Sequence, residues 1–193
     1  MMRKLLLTLA TLGLLGAVTP SSATLLVYSA SLSGSNEVPA NVSPATGLST
    51  LTYDTVAHTL LVDVSFSGLL APVTAAHIHC CTPSGSNVGV AIGLVGFPTG
   101  VSSGSYSHLF DLTDPSVFSA AFLANNGGTA AGAGTTLFNA LNTGLAYLNI
   151  HTSILPGGEI RGQVAAVPEP ATLALLGLGI AGLGLGRRRR RRA

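Results

Sequence analysis

Three histidines carry most of the chemistry this sequence offers. His77 and His79 stand two apart in Ala76-His77-Ile78-His79-Cys80-Cys81, and His151 ends the run Tyr147-Leu148-Asn149-Ile150-His151. On a strand, residues two apart share a face with Cα atoms about 6.6–6.8 Å apart, so His77 pairs with His79 and Asn149 with His151. Glu159 and Arg161 share a face in the same way on the segment that follows. If these segments are neighbouring strands, three imidazoles and a carboxylate converge. Three His ligands suit Cu or Zn, with an open fourth position for water or substrate. Cys80 or Cys81 would add a thiolate if the strand bends. The other reading is a structural polar cluster. In it the histidines bond to Glu159, Asn149 and backbone, and Arg161 pairs with Glu159, because buried polar groups need partners. Spacing alone leaves both readings open.

Cys80 and Cys81 are the chain's two cysteines. Adjacent Cα atoms lie about 3.8 Å apart, below the usual disulfide range of about 4.4–6.8 Å. A strained vicinal disulfide, a soft-metal thiolate pair and two inert thiols all remain open. His58 falls in an expected loop and His108 on a strand with Tyr106 and Phe110, which suits surface or core roles. No Gly-x-Ser-x-Gly elbow, Walker loop or Rossmann fingerprint occurs, so familiar hydrolase and nucleotide chemistry lack support.

The elements that must position these residues read as strands. Leu60, Val62, Val64 and Phe66 alternate with Leu61, Asp63, Ser65 and Ser67, the period of a half-buried strand. Residues 25–32, 48–53, 73–79, 105–112, 145–151 and 159–165 are further strand segments. Pro156-Gly157-Gly158 is a turn that makes the last two a hairpin. The expected fold is all-β: an antiparallel, Greek-key-like sandwich of about seven or more short strands, with one or two short helices. One helix follows the cap Asp114-Pro115 and runs over 117–123; the other spans 135–142 and ends before Gly144. Residues 164–170 read as the linker that ends the domain.

Of 193 residues, 47% are hydrophobic and 8% are charged, which excludes a disordered chain. Between residues 24 and 167 six acids (Glu37, Asp54, Asp63, Asp111, Asp114 and Glu159) face Arg161 alone, a balance of −5. An acidic body without a basic patch argues against nucleic acid as a partner.

The basic residues sit at the ends. Arg3 and Lys4 precede an apolar run over 5–18, and Ser21-Ser22-Ala23 offers the small residues signal peptidase reads. Residues 1–23 are a signal peptide cut after Ala23. Residues 24–166 are then the domain and 167–193 a tail. The tail holds Val167-Pro168-Glu169-Pro170, a hydrophobic segment over 171–186 and an arginine-rich end over 187–193. Sixteen helical residues reach about 24 Å, short of a hydrocarbon core of about 30 Å, a gap that local thinning and snorkelling can close. The arginines stay cytoplasmic, which places 24–167 outside the inner membrane.

Pro168-Glu169-Pro170, the Leu/Gly/Ala span and the terminal arginines together resemble the PEP-CTERM sorting signal of Gram-negative bacteria. The resemblance implies handling by an exosortase and transient anchoring in the inner membrane. It also implies delivery to the envelope, cell surface or extracellular matrix, where polysaccharide and other matrix proteins are the partners to expect. The body resembles the CHRD domain, named from chordin. The residues that carry this are Ser35-Asn36-Glu37-Val38-Pro39, Ala45-Thr46-Gly47, Ala76-His77-Ile78-His79, Tyr147 to Thr152 and Pro156 to Gln163. The resemblance implies an all-β module without established enzymatic activity, hence a non-catalytic binding or structural role. Cys80-Cys81 departs from the family pattern. The His-x-His pair is also similar to that of copper-zinc superoxide dismutases, but the rest of their ligand spacing is not present. A metal-binding protein, or a metal-dependent redox or hydrolytic enzyme, is the alternative.

Overall fold

The computed structural model describes residues 24–168. The expected signal peptide with Ala23, Glu169 and Pro170 of the sorting motif, the hydrophobic segment and the arginines lie outside the described residues.

Among the described residues nine strands form: β1 (Leu25–Ser33), β2 (Thr46–Asp54), β3 (Thr59–Ser67), β4 (Val73–Cys80), β5 (Val90–Gly93), β6 (Gly104–Asp111), β7 (Ala146–Thr152), β8 (Ile160–Gln163) and β9 (Ala165–Ala166). Their order is β5-β4-β7-β8-β1-β2-β3-β6, with β9 beside β1, and the pairings are antiparallel. The architecture is therefore all-β, as the alternating segments require. Its two layers are the halves of one sheet that curls on itself. Tyr28, Leu51 and Leu60 from one half meet Ile78, Leu148 and Ile160 from the other in a single core. β3 shows how the pattern works: Leu60, Val62, Val64 and Phe66 are buried, while Leu61, Asp63, Ser65 and Ser67 face outward.

Two strands escape the sequence pattern. β5 is the four residues Val90–Gly93, too short to show a period. β9 falls in the segment read as a linker. There Val164 is fully buried, its N–H donates to Ala146 O at 2.9 Å, and Ala165 and Ala166 pair with β1. The sheet thus continues to residue 166.

The helices also start elsewhere than expected. Asp114 caps only a 3-10 turn, Pro115–Val117, by accepting from Ser116 N at 2.8 Å. Phe118 bridges to Ile92, and α1 (Ala120–Asn125) begins after a second cap, Ser119. α2 (Ala130–Thr143) starts five residues before the expected Thr135, capped by Thr129. Gly132 is tolerated there because of a close approach, since a Cβ at this position would run into the Asn126 carbonyl. α2 inserts Leu137 and Leu141 into the common core.

β7 is buried on both faces: Leu148 and Ile150 in the core, and Tyr147 and Asn149 on the outer side. Contacts from the segments around residues 34–41, 82–89 and 153–158 converge on that outer side, where the three histidines lie. Cutting Leu148 to Ala should lower stability by about 2–5 kcal/mol, because the site cannot collapse freely. The same change at exposed Leu109 should cost within about 0.5 kcal/mol. Urea-unfolding midpoints of the two variants against the parent check both.

Candidate functional site

β4 and β7 pair so that His77 stands opposite Asn149, His79 opposite Tyr147 and Ala75 opposite His151. The histidines therefore meet diagonally. Nδ1 of His77 lies 2.9 Å from Nε2 of His151, and one ring nitrogen from each of His77, His79 and His151 falls within 4.8 Å of the others. Ring centroids are 5.6 Å apart for His77 and His79, and 6.3 Å for His79 and His151.

Carbonyl partners fix the tautomers. His79 Nδ1 donates to Val88 O at 2.8 Å, and His151 Nδ1 donates to Pro156 O at 2.9 Å. A carbonyl oxygen only accepts, so both Nδ1 atoms carry hydrogen and both Nε2 atoms carry lone pairs in the neutral state. The proton between His77 and His151 then belongs to His77 Nδ1. Nε2 of His79 is 3.1 Å from Oδ1 of Asn149; with His79 neutral, the Asn149 amide must turn its NH2 group there. The His79 ring lies flat on Tyr147, with centroids 4.6 Å apart.

Burial keeps this cluster uncharged. His77 is pushed down from 6.5 to about 4, first by loss of solvent and then by repulsion from His151 and His79. Loss of solvent also lowers His79 and His151, against the upward pull of their carbonyl bonds to Val88 and Pro156.

The carboxylate expected beside the histidines is elsewhere. Glu159 precedes β8, is fully buried, and accepts from Ser43 Oγ, Leu70 N and Thr152 Oγ1, each at 2.7 Å. Those three donors hold it outside the histidine group, and it does not pair with Arg161. Arg161 turns instead to Glu37, whose Oε2 accepts from Nε at 2.8 Å. The other guanidinium nitrogens donate to Ser86 O and to Asn87 Oδ1, and the group lies 4.4 Å over the Tyr147 ring. Loss of solvent raises Glu37, opposed by Arg161. Among the described residues its Oε1 has no hydrogen-bond partner, and it packs against Gly158, where a Cβ would come within 2.5 Å. At φ +132° this position also needs glycine.

Cys80 and Cys81 do not supply thiolates, because they are bonded to each other in a disulfide. Cys80 points into the core and Cys81 is exposed. His58 sits in the β2–β3 turn beside the Tyr53 hydroxyl, and His108 packs on Phe110; neither joins the cluster. The spacing argument missed Glu37 as the partner of Arg161, and it missed the Val88 and Pro156 carbonyls. Only the run Ser35-Asn36-Glu37-Val38-Pro39 signalled that segment, without a role.

The family model for the CHRD domain matches residues 28–164. The chain belongs to the CHRD family. CHRD domains are non-catalytic modules. In this one Asn36 Nδ2 donates to Ser31 O and Arg161 O, and Asn41 Nδ2 donates to Glu159 O. The segment that carries Asn36 and Asn41 thus clasps the segment that carries Glu159 and Arg161. A second family model, the PEP-CTERM protein-sorting motif, matches residues 166–191. It marks the CHRD chain as a secreted, envelope-targeted protein of Gram-negative bacteria that an exosortase processes. No curated protein and no solved structure matches the chain.

Two outcomes follow. Replacing Arg161 with Ala leaves the Glu37 carboxylate buried without its cation and should cost about 3–5 kcal/mol in chemical denaturation. Stability of the metal-free protein should also fall with acid. The unfolded chain takes a proton at His77 below about pH 6.5, while the folded chain resists until about pH 4. The loss should begin as pH drops through 6.5 and level off near 4, and His77→Gln should flatten that part of a stability–pH curve.

Proposed function

We propose that this CHRD chain is a non-catalytic module of the cell surface or biofilm matrix, placed there by exosortase and bound to extracellular polysaccharide. The observation that carries the reading is the sorting motif at 166–191 directly behind a non-catalytic module at 28–164. A polar face supports the partner. On the outer side of β1–β2–β3–β6, Ser29, Thr50, Asp63 and Ser107 line up across four strands, and Ser65 and Ser105 form the adjoining pair. Hydroxyls in register, with one carboxylate and no cation, suit hydrogen bonding to sugar hydroxyls. They do not suit nucleic acid. Before processing, the hydrophobic segment over 171–186 holds the chain in the inner membrane. Signal peptidase and exosortase are its processing partners.

A second reading makes the module a metal-binding protein, or a metal-dependent redox or hydrolytic enzyme. One observation favours it: three imidazoles converge on the outer side of β4 and β7.

Cell fractionation tests the first reading. The parent should be recovered with the matrix, and Pro168→Ala with Glu169→Ala should hold it in the inner-membrane fraction. Recovery of that variant in the matrix would reject sorting through this motif. Purified parent should co-sediment with exopolysaccharide from the same cells, and Asp63→Ala with Ser107→Val should reduce the bound fraction several-fold. Undiminished binding by that variant would move the polysaccharide surface elsewhere.

A further inference from the structure

We propose that His77 Nδ1, His79 Nε2 and His151 Nε2 form a tetragonal three-nitrogen site for Cu(II), in which the ion takes the place of the proton between His77 and His151. The inference rests on the metal-binding reading and adds the donor atoms, the geometry and the ion.

The donor atoms follow from the hydrogen bonds. Val88 O and Pro156 O each hold an Nδ1–H, which leaves the Nε2 atoms of His79 and His151 as the donors; the Asn149 amide, 3.1 Å from His79 Nε2, gives up its bond to that atom when the ion binds. A ligating histidine commonly donates its other N–H to such a carbonyl, which fixes ring and tautomer together. The third donor is the atom already beside His151 Nε2, namely His77 Nδ1 at 2.9 Å. Binding moves the N–H of His77 to its Nε2, so all three ligands stay neutral and no charge is buried beyond that of the ion. The thiolates that would favour Cu(I) or a sulfur-ligated zinc are absent, since Cys80 and Cys81 are joined to each other. Glu159 is taken up by its own three donors. The set is therefore all-nitrogen.

The geometry follows from the spacing. Two bonds of about 2.0–2.1 Å place their nitrogens about 2.8–3.0 Å apart at a right angle and about 3.3–3.4 Å apart at a tetrahedral one. The His77–His151 separation of 2.9 Å fits the right angle. Ligands in trans positions lie about 4.0–4.2 Å apart; one ring nitrogen from each histidine falls within 4.8 Å of the others, so the group closes by at most about 0.6–0.8 Å to bind. Right angles with nitrogen donors belong to Cu(II) rather than Zn(II), and Cu(II) also stands highest in affinity among the divalent ions of this row. A fourth in-plane position remains for water or an outside ligand.

The test uses the purified full chain, stripped with a chelator and then titrated with Cu(II) or Zn(II). One Cu(II) per chain is expected, with a tetragonal electron paramagnetic resonance spectrum showing coupling to three imidazole nitrogens. Zn(II) should compete at least 100-fold more weakly. His79→Ala and His151→Ala should each weaken Cu(II) at least 100-fold, and His58→Ala should leave it unchanged. Should an alanine variant fail to fold, the parent alone still decides. Nitrogen-15 spectra of the zinc-loaded parent should show His77 protonated at Nε2, against Nδ1 in the metal-free protein. Absence of stoichiometric binding of either ion overturns the metal-binding reading and this site with it. Stoichiometric binding with Zn(II) as tight as Cu(II), with a tetrahedral spectrum, or with His77 unchanged at Nδ1 overturns this site alone.

Discussion

A guanidinium that is 4% exposed must find a counter-charge and acceptors inside the protein, and Arg161 finds both in distant segments. Glu37 supplies the charge from the stretch after β1, Ser86 and Asn87 supply oxygens from the segment after β4, and Tyr147 supplies a ring face on β7. One side chain on β8 thus ties two loop segments onto the outer side of β4–β7–β8. Asn87 closes the ring by donating to Val38 O at 2.8 Å. Without that clasp the outer side of β7 would lie open to water, and the loop carrying Val88 would lose its anchor beside His79.

The histidines depend on this covering for their chemistry. Burial, not a neighbouring carboxylate, keeps them neutral, and neutral imidazoles present lone pairs. The two buried acids serve different ends. Glu37 is matched to Arg161, whereas Glu159 meets three neutral donors that join the stretch after Asn41, the β3–β4 connection and the end of β7. Buried carboxylates separated in this way leave the histidine face without a negative charge of its own. The face therefore differs from the mixed cluster that residue spacing alone suggests.

Much of the fold was legible because it is local. The alternation from Leu60 to Ser67 needs no partner to reveal which residues face the core, and seven of the nine strands among the described residues carry some local signal of residue type and bounding turns. β5 did not, since its four residues follow Gly89, end on Gly93 and show no period. β9 did not, since two alanines after a buried valine read as linker. α2 was shortened because Gly132 and Gly134 argue against helix locally, and only packing on the Asn126 carbonyl accounts for the first of them. In the site, the shared face of His77 and His79 was readable from period two, as was the separate stretch that holds Asn149 and His151.

By itself the sequence determined the chain's class, the order of domain and sorting tail, and the strands that carry its histidines. These are properties of neighbours along the chain: charge next to apolar run, side chain next to side chain. Tertiary structure alone decided who meets whom. His77 reaches His151 across 74 residues because β4 and β7 pair in one register, and a slip of one residue would turn either histidine to the core. Arg161 reaches Glu37 rather than Glu159, two positions away, because Glu159 stands before the strand begins and turns to other donors. The two cysteines were adjacent in any fold, yet only the structure chose the disulfide among the states their spacing allowed. Pairing register and competition among buried donors are long-range quantities, and a linear pattern does not carry them.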